Sequence, residues 1–434
     1  MRIVHITAGA GGRICGSCLH DNTLVRGLQA RGADAILVPA YVPTTTDEEN
    51  VAIDRVVMGG VNVWLQEHLP LLRYTPELLD RPLDSPRLLA WLSGRTGSAR
   101  AADLGPLTVS SLEGEAGHQR KEVRKLVRWL AREVRPDVVH LSNALLLGLA
   151  REIRGTVKAR VVCTLSGEDL FIDQIPEPDR TRVWELLRER ATDVDRFVAL
   201  NQFFASEMGR RMAVSAERIA VIPHGLDLAA FPPDPPDLED RRARRGGRLV
   251  LGFLARACPE KGLDQAIQAV RLLAAGHDVE LQAAGATVEA ERTYLEGCLA
   301  LADELGVGDR FRWLGQVDRA DKLRLLETID LFVLPATHPE AKGLSAIEAM
   351  AAGVPVIAPD EGCFSELLDD EQAGLLHLPR SPADLAATVA ELADNPLGAA
   401  ALGRHAHRLA KSRHASQSMA AAHLALYERV LADG

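Results

Sequence analysis

Glu340 to Gly353 reads EAKGLSAIEAMAAG. The stretch follows an apolar strand, Leu331–Leu334, which Pro335 stops. A loop runs from there to Gly343, and Ser345–Ala352 has the Ala, Glu and Met content of a helix start. Glu340 then lies on the loop and Glu348 about one turn into the helix. Between the two acids, the backbone N–H groups of Gly343, Leu344 and Ser345 are expected to be the open donors of a helix N-terminus. Together with the positive end of the helix dipole they suit a phosphate or pyrophosphate. Two carboxylates would repel that anion, so their expected work is to accept hydrogen bonds from sugar hydroxyls on either side of it. The pattern is that of a nucleotide-sugar site, with pyrophosphate on the helix end, ribose on one acid and the transferred sugar on the other.

Glu-x7-Glu followed by Ala-Met-Ala-Ala-Gly-Val-Pro-Val-Ile resembles the signature of family 4 of the retaining glycosyltransferases. The resemblance implies the GT-B fold: α/β, two doubly wound Rossmann-like domains facing each other across a cleft. Ala341-Lys342 departs from the small or aromatic pair usual after the first Glu, and Lys342 is expected to point to water.

Composition narrows the function classes. The 434 residues are 47% hydrophobic, 25% charged and only 4% aromatic, with a net charge of −10. That length carries two or three domains with ample core, and the negative charge argues against a nucleic-acid partner. No apolar run approaches the roughly 20 residues of a membrane span. MRIVHITAGAGG is expected to enter a strand and a glycine loop directly, without a signal-peptide core. Six unevenly spaced cysteines suit free thiols in a reducing compartment. The expectation is a cytoplasmic protein, with contact to the cytoplasmic face of a membrane left open by the basic residues Lys121, Arg124, Lys125, Arg128 and Arg132 on a helix over His118–Val134.

Along the chain, a strand over Arg2–Thr7 precedes a glycine loop and a helix from about His20 to Arg31. A dinucleotide fingerprint would require glycine where Ile14 stands, and an acid is missing after the strand Ala35–Val38. The family resemblance instead places Gly11 and Gly12 against the diphosphate and the acceptor. Cys15 and Cys18 form a Cys-x-x-Cys without a second pair to complete a zinc site, and they are expected to be inert or loop-shaping thiols. Residues 43–117, broken by prolines, are an elaborated region with helical pieces near Val61–Leu72 and Pro86–Leu92, on the acceptor side.

Strands at Asp137–Leu141, Arg160–Leu165, Arg196–Leu200 and Arg218–Ile222 alternate with helices, the pattern of a parallel sheet whose ligands sit at the C-terminal strand ends. His140, Ser166, Glu168, Asp169 and Asn201 lie there as candidate acceptor or sugar contacts. His140 matches a recurrent histidine of the family, whereas Ser166 stands where the family often has a histidine near the reacting carbon. Pro-rich and charged sequence after Ile222–Asp227 reads as a linker. The expected domains are therefore 1–240 on the acceptor side, 241–410 binding the donor, and 411–434 as a helix packing back on the first domain.

In the second half, the strand Leu249–Leu254 leads to Arg256 and Lys261 around a Pro turn, where both can project into a strand-end crevice. They match the family's Gly-Arg-x4-Lys-Gly, with Ala255 in place of its first Gly. After strands Val279–Ala284 and Phe311–Val317, Gly315 and Val317 fall where the family holds the nucleobase through backbone groups.

The resemblance implies a retaining transferase that moves a sugar from a nucleoside-diphosphate donor to a hydroxyl on a glycan, a lipid-linked glycan or a small molecule. Arg256, Lys261 and Glu340 are its expected catalytic residues. Gly11, Gly12, Gly315, Val317, Gly343, Leu344, Ser345 and Glu348 are its expected donor contacts. The implied mechanism is front-face, needing no protein nucleophile, no metal and no cofactor. A nucleotide-sugar epimerase or hydrolase, or a degenerate binding subunit, are the alternatives. Oligomeric state, sugar, base and acceptor stay open.

Overall fold

The protein was analysed as a computed structural model that describes residues 1–9, 16–68, 103–234, 242, 245–369 and 372–433. Two compact units share the chain: Met1–Gly225 with Ser416–Gly434, and Leu226–Ala415.

The first unit holds a parallel sheet in the order β2-β1-β3-β4-β5-β6. Its strands are β1 (Arg2–Thr7), β2 (Asp34–Pro39), β3 (Val138–Leu141), β4 (Arg160–Leu165), β5 (Arg196–Ala199) and β6 (Ile219–Val221). Continuous apolar runs such as Val138-Val139 and Val161-Val162 are buried on both faces, as helix-covered parallel strands require. The helix Gly16–Ala30 begins four residues earlier than expected and packs against the last helix, Ser416–Ala432. Contact there is close because Gly27 has no side chain: a Cβ on it would lie 2.9 Å from that of Ala420. Leu24, Leu28, Met419, Tyr427 and Val430 share one core with Ile3 and Val138.

The second unit repeats the plan with β12-β11-β10-β7-β8-β9, again all parallel. These strands are β7 (Leu249–Leu254), β8 (Val279–Ala284), β9 (Phe311–Trp313), β10 (Leu331–Val333), β11 (Val356–Pro359) and β12 (Gly374–His377). Phe253, Phe332 and Phe364 are wholly buried in its core, each worth about 1.5–3 kcal/mol of transfer free energy. β9 stops short of the expected Val317 because Gly315 takes φ of 75°, outside the range of a strand. β12, a four-residue run, was not expected.

The boundary between the units falls after Gly225 rather than near residue 240. Leu226 and Phe231 look like the edge of a Pro-rich linker but bury themselves in the second core. Leu226 also donates its N–H to the His414 carbonyl, at 2.7 Å. The second crossing comes at Ser416 rather than near 411, since the helix Pro396–Arg413 packs on the second unit. Much of the expected elaborated region, including the piece at Pro86–Leu92, lies outside the described residues, as do Gly11, Gly12 and Cys15. Among the described residues, no helix is long and apolar enough to cross a membrane.

Candidate active site

In the second unit, chain order reverses between β7 and β10: β8 and β9 extend the sheet on one side of β7, while β10 begins the other side. Such a switch point leaves a crevice beyond the C-terminal strand ends, where open α/β sheets bind ligands. The loops leaving these two strands carry Arg256, Lys261 and Glu340.

The two loops touch through their backbones. Gly262 has φ of 70°, and a Cβ on it would lie 1.9 Å from the Pro335 carbonyl oxygen, so only glycine fits. Beside this contact, Thr337 donates its N–H to the Glu260 carbonyl at 3.0 Å and its hydroxyl to that of Pro259 at 2.8 Å. Lys261 is thereby aimed across the switch point, and its ammonium bonds directly to Glu340 Oε2. The main chain of Glu340 is held from the other side, where Cys363 donates its N–H to the Glu340 carbonyl at 2.8 Å.

Electrostatics keep both partners charged. Burial alone would raise the Glu340 carboxyl, but the Lys261 ammonium, helped by the N–H and charge of Lys342, outweighs it and holds Glu340 below the ordinary carboxylate range. Burial likewise opposes charge on Lys261, and Glu340 more than compensates. Lys342 therefore bears on the site, a role the sequence reading did not give it.

Arg256 is more open, and its Nη1 donates to Glu291 Oε1 at 2.5 Å. Helix Leu344–Ala351 begins beyond Glu340, capped by Gly343 at φ of 63°. Its first amides, from Leu344 onward, have no partner within the helix, and Ser345 is half-buried beside them. Glu348 lies one turn in and is buried. Its Oε1 accepts from Lys322 Nζ at 2.7 Å. Gly315 accepts at its carbonyl from the Gly285 N–H at 2.9 Å, and half-buried Val317 packs on the core two residues later. The second unit thus gathers Arg256, Lys261, Glu340, Gly343, Leu344, Ser345 and Glu348 on loops and helix ends next to the switch point.

Glu291 and Lys322 were not found from sequence. They sit 35 and 26 residues from Arg256 and Glu348, and neither lies in a motif. Only the fold brings them together.

The candidates in the first unit have other partners. His140 is a core residue: fully buried, with Nδ1 2.6 Å from Tyr427 Oη and Nε2 2.7 Å from Thr164 Oγ1. β1 and β3 pair so that His5 stands opposite His140, their rings 4.6 Å apart. His423 packs 5.6 Å from His140, and His20 lies 6.5 Å from His423. Burial above all, then the rings of His5, His423 and His20, keeps His140 uncharged far below its ordinary titration range. Burial pushes His423 down to about 3, against the bond from its Nδ1 to the Met419 carbonyl. Asp21 is the acid of this nest, 2.9 Å from His5 Nε2 and 3.4 Å from His20 Nδ1. Burial would raise its carboxyl, but the two histidines hold it well below the carboxylate range.

Glu168 is a loop fastener. Its Oε1 accepts from the Ala144 N–H at 2.8 Å and its Oε2 from that of Ser166 at 2.6 Å, joining the ends of β3 and β4. Burial still raises its carboxyl above the ordinary value despite these bonds. The Ser166 hydroxyl turns toward the Ser142 carbonyl, 3.5 Å away. Asn201 caps the helix Gln202–Met212 by accepting from the Phe204 N–H at 2.8 Å. Asp169 stands half-buried in the first turn of the short helix Asp169–Asp173. Cys18 is buried.

Comparison with known proteins fits this layout. Residues 96–230 match the family model described as Glycosyltransferase Family 4, and residues 236–412 match that of Glycosyl transferases group 1. The chain is 30% identical over 265 residues to 2-deoxystreptamine glucosyltransferase of Streptomyces kanamyceticus, covering 60% of this chain and 66% of that one. It is 31% identical over 252 residues to D-inositol 3-phosphate glycosyltransferase of Segniliparus rotundus, covering 57% and 54%. The matches thus take in between 54% and 66% of these relatives' length. Among solved structures, sucrose-phosphate synthase of Thermosynechococcus elongatus superposes with a TM-score of 0.72 at 19% identity, covering 100% of both chains. The Anabaena protein HepE, in complex with UDP, gives 0.71 at 18% identity, covering 99% of this chain and 100% of that one. With both halves matched by glycosyltransferase models and both sheets arranged as in these structures, the chain belongs to the glycosyltransferases, has the GT-B fold and resembles their family 4.

Proposed function

We propose that this protein transfers a sugar from a nucleoside-diphosphate sugar to a hydroxyl acceptor, with the anomeric configuration retained and without a metal. The observation that carries the proposal is the Lys261–Glu340 pair across the switch point, next to Arg256 and the open amides of the Leu344–Ala351 helix. The names of the relatives, one a glucosyltransferase and one a glycosyltransferase, support sugar transfer. That of the UDP complex supports a nucleoside diphosphate as leaving group.

In this reading the diphosphate lies on the helix end, with Arg256 and Lys261 as its cations. As the bond from sugar to phosphate breaks, negative charge gathers on the leaving oxygen, and fixed cations interact with it more strongly than with the ground state. Glu340 stays ionised through Lys261 and accepts hydroxyls of the transferred sugar, while Glu348 accepts those of the ribose. The acceptor attacks from the face the phosphate leaves, and the phosphate takes its proton. Two cations and a helix end supply the charge a metal would otherwise bring. Among the described residues, no group of three or more His, Cys, Asp or Glu side chains is placed to hold one. We place the reaction in the cytoplasm.

Incubation with a panel of nucleotide sugars, with and without hydroxyl acceptors, tests the proposal. Release of nucleoside diphosphate that requires an acceptor, with an α-linked donor giving an α-linked product, is the expected result. Release without acceptor would mean a hydrolase, and a changed sugar without release an epimerase.

A further inference from the structure

Lys322 is the least expected charged group near the site. It belongs to the helix Arg319–Thr328, which Asp318 caps by accepting from the Asp321 N–H at 2.8 Å. The helix therefore starts immediately after Gly315–Val317, and the Lys322 N–H bonds back to the Asp318 carbonyl at 2.9 Å. From its first full turn Lys322 sends its ammonium to Glu348 Oε1, 2.7 Å away, with side-chain exposures of 11% and 6%. Glu348 Oε2 accepts no hydrogen bond among the described residues.

A buried ion pair contributes little net stability compared with apolar side chains of the same size, because both charges lose their hydration. What it supplies is a carboxylate fixed in direction. Glu348 has one oxygen held by Lys322, and the other is left with acceptor capacity beside the Leu344–Ala351 helix start. The lysine is also one helical turn from the loop Gly315–Val317, so it couples that loop to the acid.

We infer that Lys322 is a positioning residue for the nucleoside, holding Glu348 turned so that Oε2 accepts the ribose hydroxyls. The inference rests on the reading of Glu348 as the ribose acceptor. Lys322 itself touches no ligand in this arrangement and acts through Glu348.

Calorimetric titration with UDP, ADP and GDP, each against its 2′,3′-dideoxy counterpart, tests it. Hydrogen bonds from two hydroxyls to a charged acceptor are expected to make the ribonucleotide bind at least about tenfold more tightly. Lys322→Met should bring that ratio close to one while leaving dideoxynucleotide affinity within about twofold. Lys322→Arg should restore the ratio. Lys322→Gln, which keeps a donor but not the charge, should lie between and serves if the Met variant does not fold. In a Glu348→Gln background, Lys322→Met should change the ratio no further.

An unchanged ratio in Lys322→Met, or equal loss of both ligand types, would overturn the inference, the second outcome marking a merely structural pair. If wild type shows no preference for the ribonucleotide, or Glu348→Gln keeps it in full, the ribose reading itself fails and takes the inference with it. Collapse in Glu348→Gln with an intact ratio in Lys322→Met would refute only the role of Lys322.

Discussion

Acidification should loosen the last helix, and His423 is the group to remove to see it. Its imidazole packs against His140, His20 and Tyr427, with His5 and Asp21 behind them. Burial lowers its pKa from 6.5 to about 3. Because the folded value is depressed, the unfolded segment binds the extra proton between those limits. The stabilisation is complete above pH 6.5 and is lost as pH falls toward 3. At pH 5 the unfolded histidine is 1.5 pH units below its pKa while the folded one is still neutral. At 1.36 kcal/mol per unit, that is a loss of about 2 kcal/mol. His140, lowered for the same reason, adds to the loss in the same direction. Asp21 contributes nothing in this window, since its carboxylate gives way only below its ordinary value of 3.8. The assay is amide hydrogen exchange of the 416–432 segment, corrected for the intrinsic dependence of exchange on pH. It reads one helix and does not require two-state unfolding of a two-unit protein. Between pH 7.5 and 5, wild-type protection should fall by about 30-fold on account of His423, with His140 adding to the fall. His423→Gln, whose amide can still donate to Met419, should show a fall about 30-fold smaller. An identical fall in both proteins would mean that His423 is not held neutral in the fold.

Four further outcomes can be checked. Arg256→Ala and Lys261→Ala should each lower kcat by roughly 10²–10³ and raise the donor KM much less; an unchanged kcat would make them binding clamps. Glu340→Gln should weaken the complete donor more than the free nucleoside diphosphate in calorimetry, and equal losses would contradict a contact to the transferred sugar. Turnover should survive a strong chelator, and activity restored only by added divalent metal would refute charge neutralisation by Arg256 and Lys261. Gly262→Ala should impair donor binding and destabilise the second unit by more than the roughly 1–2 kcal/mol of a left-handed alanine, because its methyl also meets the Pro335 carbonyl; denaturation midpoints equal to wild type would show that the loops separate freely.

The placement of Arg256, Lys261 and Glu340 on loops after apolar strands, and of Glu348 in the helix beyond, was legible in sequence because those strands are followed by Pro and Gly. Such segments have few folds available, so the place of a residue relative to the sheet could be read directly. Their partners were not legible. Lys261 and Glu340 were read as serving one ligand, not as bonded to each other, and nothing local joins Glu348 to Lys322 or Arg256 to Glu291. The strand-end polar residues of the first unit were legible in place but not in their partners. His140, Glu168 and Asn201 were read as candidate ligand contacts from their strand-end positions and, for His140, from a match to a recurrent histidine of the family. The backbone around them had its own unsatisfied donors at helix starts and turns, which took Glu168 and Asn201, while strand register turned His140 into the core.

The contact between Gly262 and Pro335 makes the two loops that carry Arg256, Lys261 and Glu340 one body. Residues 255–262 cannot shift without pushing 335–343, and Gly362, whose Cβ would lie 2.4 Å from the Glu340 nitrogen, adds the loop after β11 to the same block. For anyone grafting loops between glycosyltransferases to change donor choice, these segments are not interchangeable parts. The three form a single cassette, to be moved together or not at all.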